Sequence, residues 1–181
     1  GRADLRWGLA EMAERRGDVF DADASLALSE VSLMRPLDAQ ASECVEAAAR
    51  QVATATAVVP LALVDVVVAL SANLRMIRQI AQIYGGRSGT FGSWRLTKAV
   101  ATHLVATGAV AIGDDLIGSV AGGGVLSKVS RRFGEGVING ALTARVGVAA
   151  MGVCRPMPFG VEPRPRVTAI IKRSLVGVFG G

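Results

Sequence analysis

The sequence is poor in the residues that carry redox and metal chemistry. Its 181 residues include one histidine, one tyrosine and two cysteines. Cys44 and Cys154 stand 110 positions apart, so they form no CxxC pair for zinc or redox exchange, and we expect both to be reduced and buried. His103 has no second histidine at metal-binding spacing; a structural hydrogen bond with Asp114 on the same helix face is expected instead. The sequence therefore predicts no metal site.

Complete nucleotide-binding and acid–base motifs are also missing. Residues 122–128 lack the glycine that precedes the lysine of a phosphate-binding P-loop. Residues 134–140 place Asn139 at the third glycine of a dinucleotide fingerprint, and no strand precedes them. Asp114 and Asp115 are adjacent, so they point to different sides of a helix and cannot work as a pair. We predict a protein that is not an enzyme and binds no cofactor.

Long uncharged runs are absent, although 51% of the residues are hydrophobic. The most apolar segment, Val52–Ala72, contains Asp65 and is interrupted by Pro60. Only 14 residues separate Arg50 from Asp65, whereas a membrane span needs about 20. This pattern favours buried or interfacial helices over a span. Asp65 itself either pairs with an arginine such as Arg145 or faces a transport cavity.

Charge is divided unevenly along the chain. Residues 1–50 hold 10 of the 15 acidic and 6 of the 20 basic residues, a net charge of −4, which leaves 14 bases and 5 acids, or +9, for residues 51–181. The basic part is also the apolar part, and aromatic residues make up only 4% of the chain. This combination indicates an acidic protein partner or an anionic membrane surface, and not a nucleic acid.

Helical periodicity runs through nearly the whole chain and predicts an all-α fold, a compact multi-helix bundle with a core rich in glycine and alanine. Glycine and proline place the helix boundaries, with helices expected to end near residues 17, 34, 60, 84, 117, 153 and 178. We expect N-terminal amphipathic helices over 1–34, a helical core over 35–159, and a proline-rich linker with a short basic amphipathic tail over 160–181.

A basic cluster follows the apolar segment, with no acid between Asp65 and Asp114 to neutralise it. Its bases and two nearby aromatic residues form the candidate surface for a protein partner or for lipid: Arg75, Arg78, Tyr84, Arg87, Trp94, Arg95 and Lys98. Gly85 and Gly86 are suited to end the preceding helix. The alternative is a solvated face that only maintains solubility.

The sixth predicted helix carries isolated polar residues among small and aliphatic ones. Because burying an unpaired polar group costs about 1 to 3 kcal/mol, we expect these residues to be paired. The candidate structural lock comprises Asp65, Glu135, Asn139, Thr143 and Arg145. A polar groove that receives a partner is the alternative. Gly136, Gly140 and Ala144 recur every four residues, which favours close helix packing in the fold or, alternatively, self-association into a homo-oligomer.

Three blocks of sequence resemble the YcjF-like inner-membrane proteins of proteobacteria. Asn73–Arg75 and Arg78–Gly85 lead into Gly92–Leu96, a second block covers Gly134–Gly147, and Cys154–Phe159 closes the match. The resemblance extends over most of residues 33–159. One departure is Arg87-Ser88-Gly89, where the family has Arg-Pro-Gly, which leaves the turn in place but loosens it.

The resemblance implies two transmembrane helices upstream of these residues, with this part of the protein on the cytoplasmic side of the inner membrane. In some family members a further membrane segment corresponds to Val52–Ala72. The resemblance also implies a partner, a YcjX-like P-loop GTPase, and a family without established enzymatic activity. The expected function is thus a membrane-anchored adaptor that docks a GTPase or an envelope-stress factor. The alternative is a module that binds anionic lipid or remodels the membrane.

Overall fold

The computed structural model describes residues 3–15, 17, 21–58, 62–85, 98–100, 102 and 125–179. Within these ranges all regular structure is helical and no strand occurs, so the all-α prediction is confirmed. Most of the fifth predicted helix, with Arg87, Trp94, Arg95, His103 and Asp114, lies outside the described residues. The elements are α1 (Ala3–Arg15), α2 (Ala22–Ser29), a π-helical turn (Glu30–Met34), α3 (Arg35–Val58), α4 (Ala62–Ile83), α5 (Val125–Cys154) and α6 (Val167–Phe179).

Helix α3 is the centre of the domain and packs against α4, α5 and α6. Its buried residues recur at spacings of three, four and one, which places them on one stripe: Leu37, Ala41, Val45, Ala48, Ala49, Val52, Ala53 and Thr56. Helix α4 runs antiparallel to it, because Tyr84 at the end of α4 meets Asp38 at the start of α3, while Cys44 meets Gln79.

Helix α5 also runs antiparallel to α3 and approaches it closely. A Cβ atom on Gly136 would lie 2.5 Å from the carbonyl oxygen of Ala53, and one on Gly140 would lie 3.0 Å from that of Ala49. Ala144, the next small residue in the series, is fully buried. The small residues therefore serve packing within the fold, as the first interpretation predicted. The groove expected for self-association is filled by α3.

The two ends of the chain pack on this bundle. Ile170 of α6 is fully buried in the same cluster as Val45 of α3 and Met151 of α5, so the C-terminal segment shares the central core. At the other end, Gly8 of α1 lies against the carbonyl of Ser32 in the π-helical turn, and the Ser32 hydroxyl donates to Glu11 at 3.1 Å. The turn thus links α1 to the start of α3.

The apolar segment Val52–Ala72 is divided between two helices. Its first residues end α3 and its last residues begin α4, and the two helices are antiparallel, so the segment does not form one continuous span. At the far end of α4, Gly85 has a φ of +88°, the left-handed conformation expected of a residue that closes a helix. Among the described helices, Arg132–Cys154 is long and apolar enough to cross a membrane, on length and composition alone. This stretch is the core part of α5.

Candidate functional site

The most organised group of polar side chains lies at one end of the bundle. Here α3 begins, α4 ends and α5 ends, and Arg155 follows directly after the last residue of α5. Its guanidinium connects the π-helical turn, the start of α3 and the loop that leads to α6. We call Glu30, Asp38, Tyr84 and Arg155 the Arg155 network.

Arg155 uses all of its hydrogen-bond donors. Its Nε donates to both carboxylate oxygens of Asp38, at 3.1 and 3.2 Å, and its Nη2 donates to Asp38 and to Glu30, each at 3.0 Å. Its Nη1 donates to the carbonyls of Met157 and Pro158. The guanidinium also lies over the ring of Phe159, 4.2 Å from the centroid. With its side chain 1% exposed, Arg155 is buried and fully paired.

Glu30 is bound by the backbone as well as by Arg155. Its carboxylate accepts hydrogen bonds from the amides of Gly160, Val161 and Glu162, with donor–acceptor distances between 2.8 and 3.3 Å. Successive backbone amides that converge in this way form an anion-binding concavity. In this domain the concavity is filled by a carboxylate of the same chain, so the π-helical turn is fastened to the loop before α6.

The ionisation of the network follows from these contacts. Burial alone would raise the pKa of Glu30, but the amide donors of residues 160–162 and the Arg155 guanidinium lower it below the ordinary value. Burial opposes the charge of Arg155 too, and Asp38 and Glu30 outweigh it, so the pKa of Arg155 is raised. The pKa of Tyr84 is raised by burial and by its hydrogen bond to Asp38. Glu30 and the Arg155 guanidinium are therefore charged and Tyr84 is neutral at neutral pH.

This arrangement is suited to joining segments and not to catalysis. Each charged group is already bound by protein donors or acceptors, so the network leaves no open coordination position or reactive group for a substrate. No group of three or more potential metal ligands occurs in the described part of the chain. The Arg155 network is therefore a structural lock at one end of the bundle.

The residues expected to form a lock lie elsewhere, between α3, α4 and α5. Asp65 pairs with Arg132, with 4.0 Å between Oδ2 and Nη1, instead of with Arg145, the example expected. Its other oxygen, Oδ1, is buried without a hydrogen-bond partner. Asn139 donates to the hydroxyl of Thr56 at 3.2 Å. Of the remaining members, Thr143 is buried, and Glu135 and Arg145 are half-buried on α5.

The residues expected on the docking surface separate into two sets. Arg75 and Arg78 are exposed on α4, and Lys98 is exposed on its short helical stretch. Tyr84 does not join them, because it is half-buried and its hydroxyl donates to Asp38 at 2.6 Å. This placement corrects the expectation that Tyr84 belongs to the surface: the end of α4 packs onto the start of α3 and turns the phenol inward.

A groove of about 600 Å³ lies beside the exposed arginines, between α3 and α4. It is lined mainly by amides, one acid and small or apolar residues: Gln40, Glu43, Cys44, Ala47, Gln79, Gln82 and Ile83. The Cys44 thiol contacts the Gln79 side-chain oxygen at 3.2 Å, and burial raises the pKa of this thiol. Gln79 and Gln82 lie on α4 at helical spacing from Arg75 and Arg78, so the groove and the arginines share one face.

Three members of the Arg155 network were not identified as site residues from the sequence. Arg155 appears there only as part of a matching block, and Glu30 and Asp38 are not singled out. One signal was available, an arginine between a helix end and Pro156, where basic side chains bind free carbonyls. Nothing local connects it to Glu30, which is 125 positions away.

Comparison with known proteins gives curated relatives that are named UPF0283 membrane proteins. A UPF0283 membrane protein of Rhizobium meliloti is 49% identical over 160 residues, which cover 88% of this chain and 45% of the relative. One of Agrobacterium fabrum is 44% identical over 180 residues, covering 99% of this chain and 50% of the relative. One of Mesorhizobium japonicum is 42% identical over 158 residues, which cover 87% of this chain and 44% of the relative.

The chain spans about half the length of the curated relatives it matches. No solved structure matches it. A family model described as a domain of unknown function, DUF697, matches residues 20–179, which include α2 to α6 and every member of the Arg155 network. With a match over that length, the chain belongs to the DUF697 family.

Proposed function

We propose that this chain is a non-enzymatic docking domain of a membrane protein, and that it recruits a soluble protein through the exposed basic face of α4. The observation that carries the proposal is the state of Arg75 and Arg78. Both are exposed, and neither forms an ion pair or a hydrogen bond with another residue of the described ranges. They stand beside an open groove.

Other arginines of the domain are used differently. Arg15 pairs with Glu11 at 3.3 Å, and Arg173 pairs with Glu46 at 2.6 Å, although both arginines are largely exposed. On α4, the residues that follow Asp65 include no acid that could pair with Arg75 or Arg78. Two adjacent unpaired guanidinium groups favour a partner with carboxylates at matching positions, because arginine binds carboxylates through two parallel hydrogen bonds.

The groove provides room for that partner. Ala47 on α3 is small and exposed, so a helix can approach the backbone there, and Gln79 and Gln82 offer amides that both donate and accept hydrogen bonds. Glu43 on the opposite side adds a charge of the other sign. A partner helix with acids facing α4 and a base or amide facing α3 would be bound in one direction only.

The resemblance to YcjF-like proteins suggests a YcjX-like P-loop GTPase as this partner, at the cytoplasmic face of the inner membrane. The absence of a complete phosphate-binding loop from this chain agrees with the role of a companion, which leaves nucleotide chemistry to the partner. An envelope-stress factor with an acidic helix would use the same face.

A binding measurement with the purified GTPase from the same organism tests the proposal. We expect Arg75→Glu with Arg78→Glu to weaken binding by about tenfold or more, equivalent to about 1.4 kcal/mol. The matched control is Arg166→Glu with Lys172→Glu, which makes the same charge change at two exposed positions near α6. Equal weakening by both double variants would show a general charge effect and contradict the proposed surface.

The alternative function is binding of anionic lipid by the same arginines. Flotation with vesicles of phosphatidylcholine and phosphatidylglycerol separates the two possibilities. If Arg75→Glu with Arg78→Glu abolishes flotation but leaves binding of the GTPase unchanged, these arginines bind lipid headgroups and the docking proposal is wrong.

A further inference from the structure

We propose that the exposed face of α3 and α4 binds a second copy of this chain, and that the homodimer covers the surface from which a soluble partner is recruited. We call this surface the α3–α4 face. It carries an acid on one helix and bases on the other, with the open groove between the helices. Its exposed residues are Glu43, Ala47 and Gln51 on α3, and Ser71, Arg75 and Arg78 on α4.

The acid and the bases of this face lie at nearly the same height in the bundle. Cys44 of α3 contacts Gln79 of α4 at 3.2 Å, and the two helices are antiparallel, so this pair sets their register. Glu43 and Arg78 each come one residue before a member of this pair. They are therefore separated by a rise of only about 3 Å along the bundle axis.

The fold leaves these charges unpaired. The side chains of Glu43, Arg75 and Arg78 form no ion pair or hydrogen bond with another residue of the described ranges. Glu46, one turn further along α3, is by contrast paired with Arg173 of α6 at 2.6 Å. An acid and two bases that are exposed, close in height and unpaired are complementary in charge to the same set on a second molecule.

A two-fold axis parallel to the helices makes the α3–α4 face complementary to itself. Rotation about such an axis does not change height, so α3 of each copy lies over α4 of the other. Glu43 of each copy then lies opposite Arg78 of the other, with Arg75 one turn away, and every contact occurs twice. A second copy thus presents what the docking surface requires of its partner, an acid facing α4 and a base facing α3.

The neutral residues of the face permit this approach. The register places Arg75 near the height of Ala47, and Ser71 near the height of Gln51. Across the axis, a small side chain lies opposite the arginine stem, and an amide lies opposite a hydroxyl with which it can form a hydrogen bond. Because the residues of this face are small or polar, we expect a reversible dimer of modest affinity.

The homodimer and a soluble partner would use the same arginines, so each excludes the other. The soluble partner binds only to dissociated chains, and the concentration of the chain itself sets how much of the surface is free. This regulation rests on the proposed docking function. The homodimer does not, because it is measured in the absence of any partner.

Sedimentation equilibrium of the chain and of complementary charge variants tests the homodimer. We expect wild type to dimerise reversibly, with weaker association at high salt. Glu43→Arg alone, and Arg75→Glu with Arg78→Glu, should each raise the dissociation constant about tenfold or more, because symmetry places like charges opposite each other twice. Mixing these two variants should restore a dimer, since every pair across the axis is then of opposite charge.

The matched controls change the same charges elsewhere on the surface. Glu14→Arg, and Arg166→Glu with Lys172→Glu, alter exposed residues of α1 and of the region of α6, and both should dimerise as wild type does. Circular dichroism checks that each variant is folded. The homodimer is disproved if wild type is monomeric, if the controls weaken it equally, or if mixing the complementary variants does not restore association.

Addition of the purified GTPase separates the homodimer from the docking function. We expect excess GTPase to lower the fraction of wild-type dimer. If the mixed variants restore the dimer but the GTPase binds wild-type dimer without dissociating it, the regulation is wrong and the homodimer stands. If the GTPase does not bind wild type at all, the docking function fails, and the mixing result still decides the homodimer.

Discussion

Arg155 and Glu30 lie 3.0 Å apart, although 125 positions separate them in the sequence, and their side chains are 1% and 5% exposed. Glu30 is bound on its other side by three backbone amides before α6, and Arg155 by Asp38 at the start of α3. A single guanidinium thus fastens the N-terminal part, the central helix and the C-terminal segment.

Replacing Arg155 with methionine should destabilise the domain severely. The substitution leaves the buried Glu30 and the half-buried Asp38 without their counter-ion, and breaking a buried ion pair in this way costs about 3 to 5 kcal/mol. Urea unfolding followed by circular dichroism measures the change in the free energy of unfolding. Arg173→Met is the control: Arg173 is 54% exposed, and its pair with Glu46 should contribute less than about 1 kcal/mol. Similar losses for the two variants would contradict the role of Arg155.

The charge of Glu30 should make stability depend on pH in the acidic range. Because the folded-state pKa of Glu30 is lowered below the unfolded value of about 4.3, its ionisation stabilises the fold above that value, and this contribution is lost as the pH falls through the folded-state pKa. Melting temperatures measured between about pH 7 and pH 3 should fall less steeply for Glu30→Gln than for wild type. Parallel curves would mean that Glu30 is not a main source of the acid sensitivity.

A methyl group at Gly136 should be poorly tolerated. The methyl carbon would lie 2.5 Å from the carbonyl oxygen of Ala53, and the main chain of α3 cannot move aside as a flexible side chain could. Overpacking of this kind costs about 1 to 3 kcal/mol, which opposes the gain of about 1 kcal/mol from replacing glycine by alanine in a helix. Gly152→Ala, on the same helix, would meet only the end of the Arg164 side chain, which can shift at the cost of its hydrogen bond to the Val148 carbonyl, and should be much less destabilising. Thermal unfolding of the two variants compares them directly; a stabilised Gly136→Ala would contradict the close approach.

The thiol of Cys154 should react slowly with alkylating and disulfide reagents. Burial raises its pKa to about 11, so at pH 8 the thiolate fraction is on the order of a hundred times lower than for an ordinary thiol. Reaction of the Cys44→Ser variant with an aromatic disulfide reagent at about pH 8 isolates Cys154. We expect reaction to become rapid only when the chain is unfolded with guanidinium; a rapid reaction of the folded variant would contradict this protonated, sheltered state.

The helices were predictable from the sequence because their signals are local. The buried stripe of α3, the end of α4 at Gly85 and the stop of α5 before Pro156 all follow from spacing and from glycine and proline within a few residues. Apolar periodicity therefore located these elements and their buried sides. It also led correctly to an all-α fold.

The partners in the polar contacts were harder to predict from the sequence because they lie far apart along the chain. Asp65 reaches Arg132, and Arg155 reaches both Glu30 and Asp38, so pairing depends on which helices become neighbours. The type of a charged residue does not reveal whether the fold will bury it or expose it. Tyr84 illustrates the difficulty: its position beside the arginines indicated a surface residue, and only the antiparallel packing of α4 on α3 turns its hydroxyl toward Asp38.

The long separation of α3 from its partner α5 has a consequence for the order in which the domain can fold. At one end of the bundle, Asn139 of α5 donates a hydrogen bond to Thr56 of α3, 83 positions away. At the other end, Arg155, which follows α5, donates to Asp38 of α3, 117 positions away. Contacts of such long range slow folding relative to helical proteins built from neighbouring hairpins. During synthesis, Glu30 and Asp38 must therefore remain hydrated until Arg155 has been added, so the contacts of the Arg155 network form only after α5 is complete.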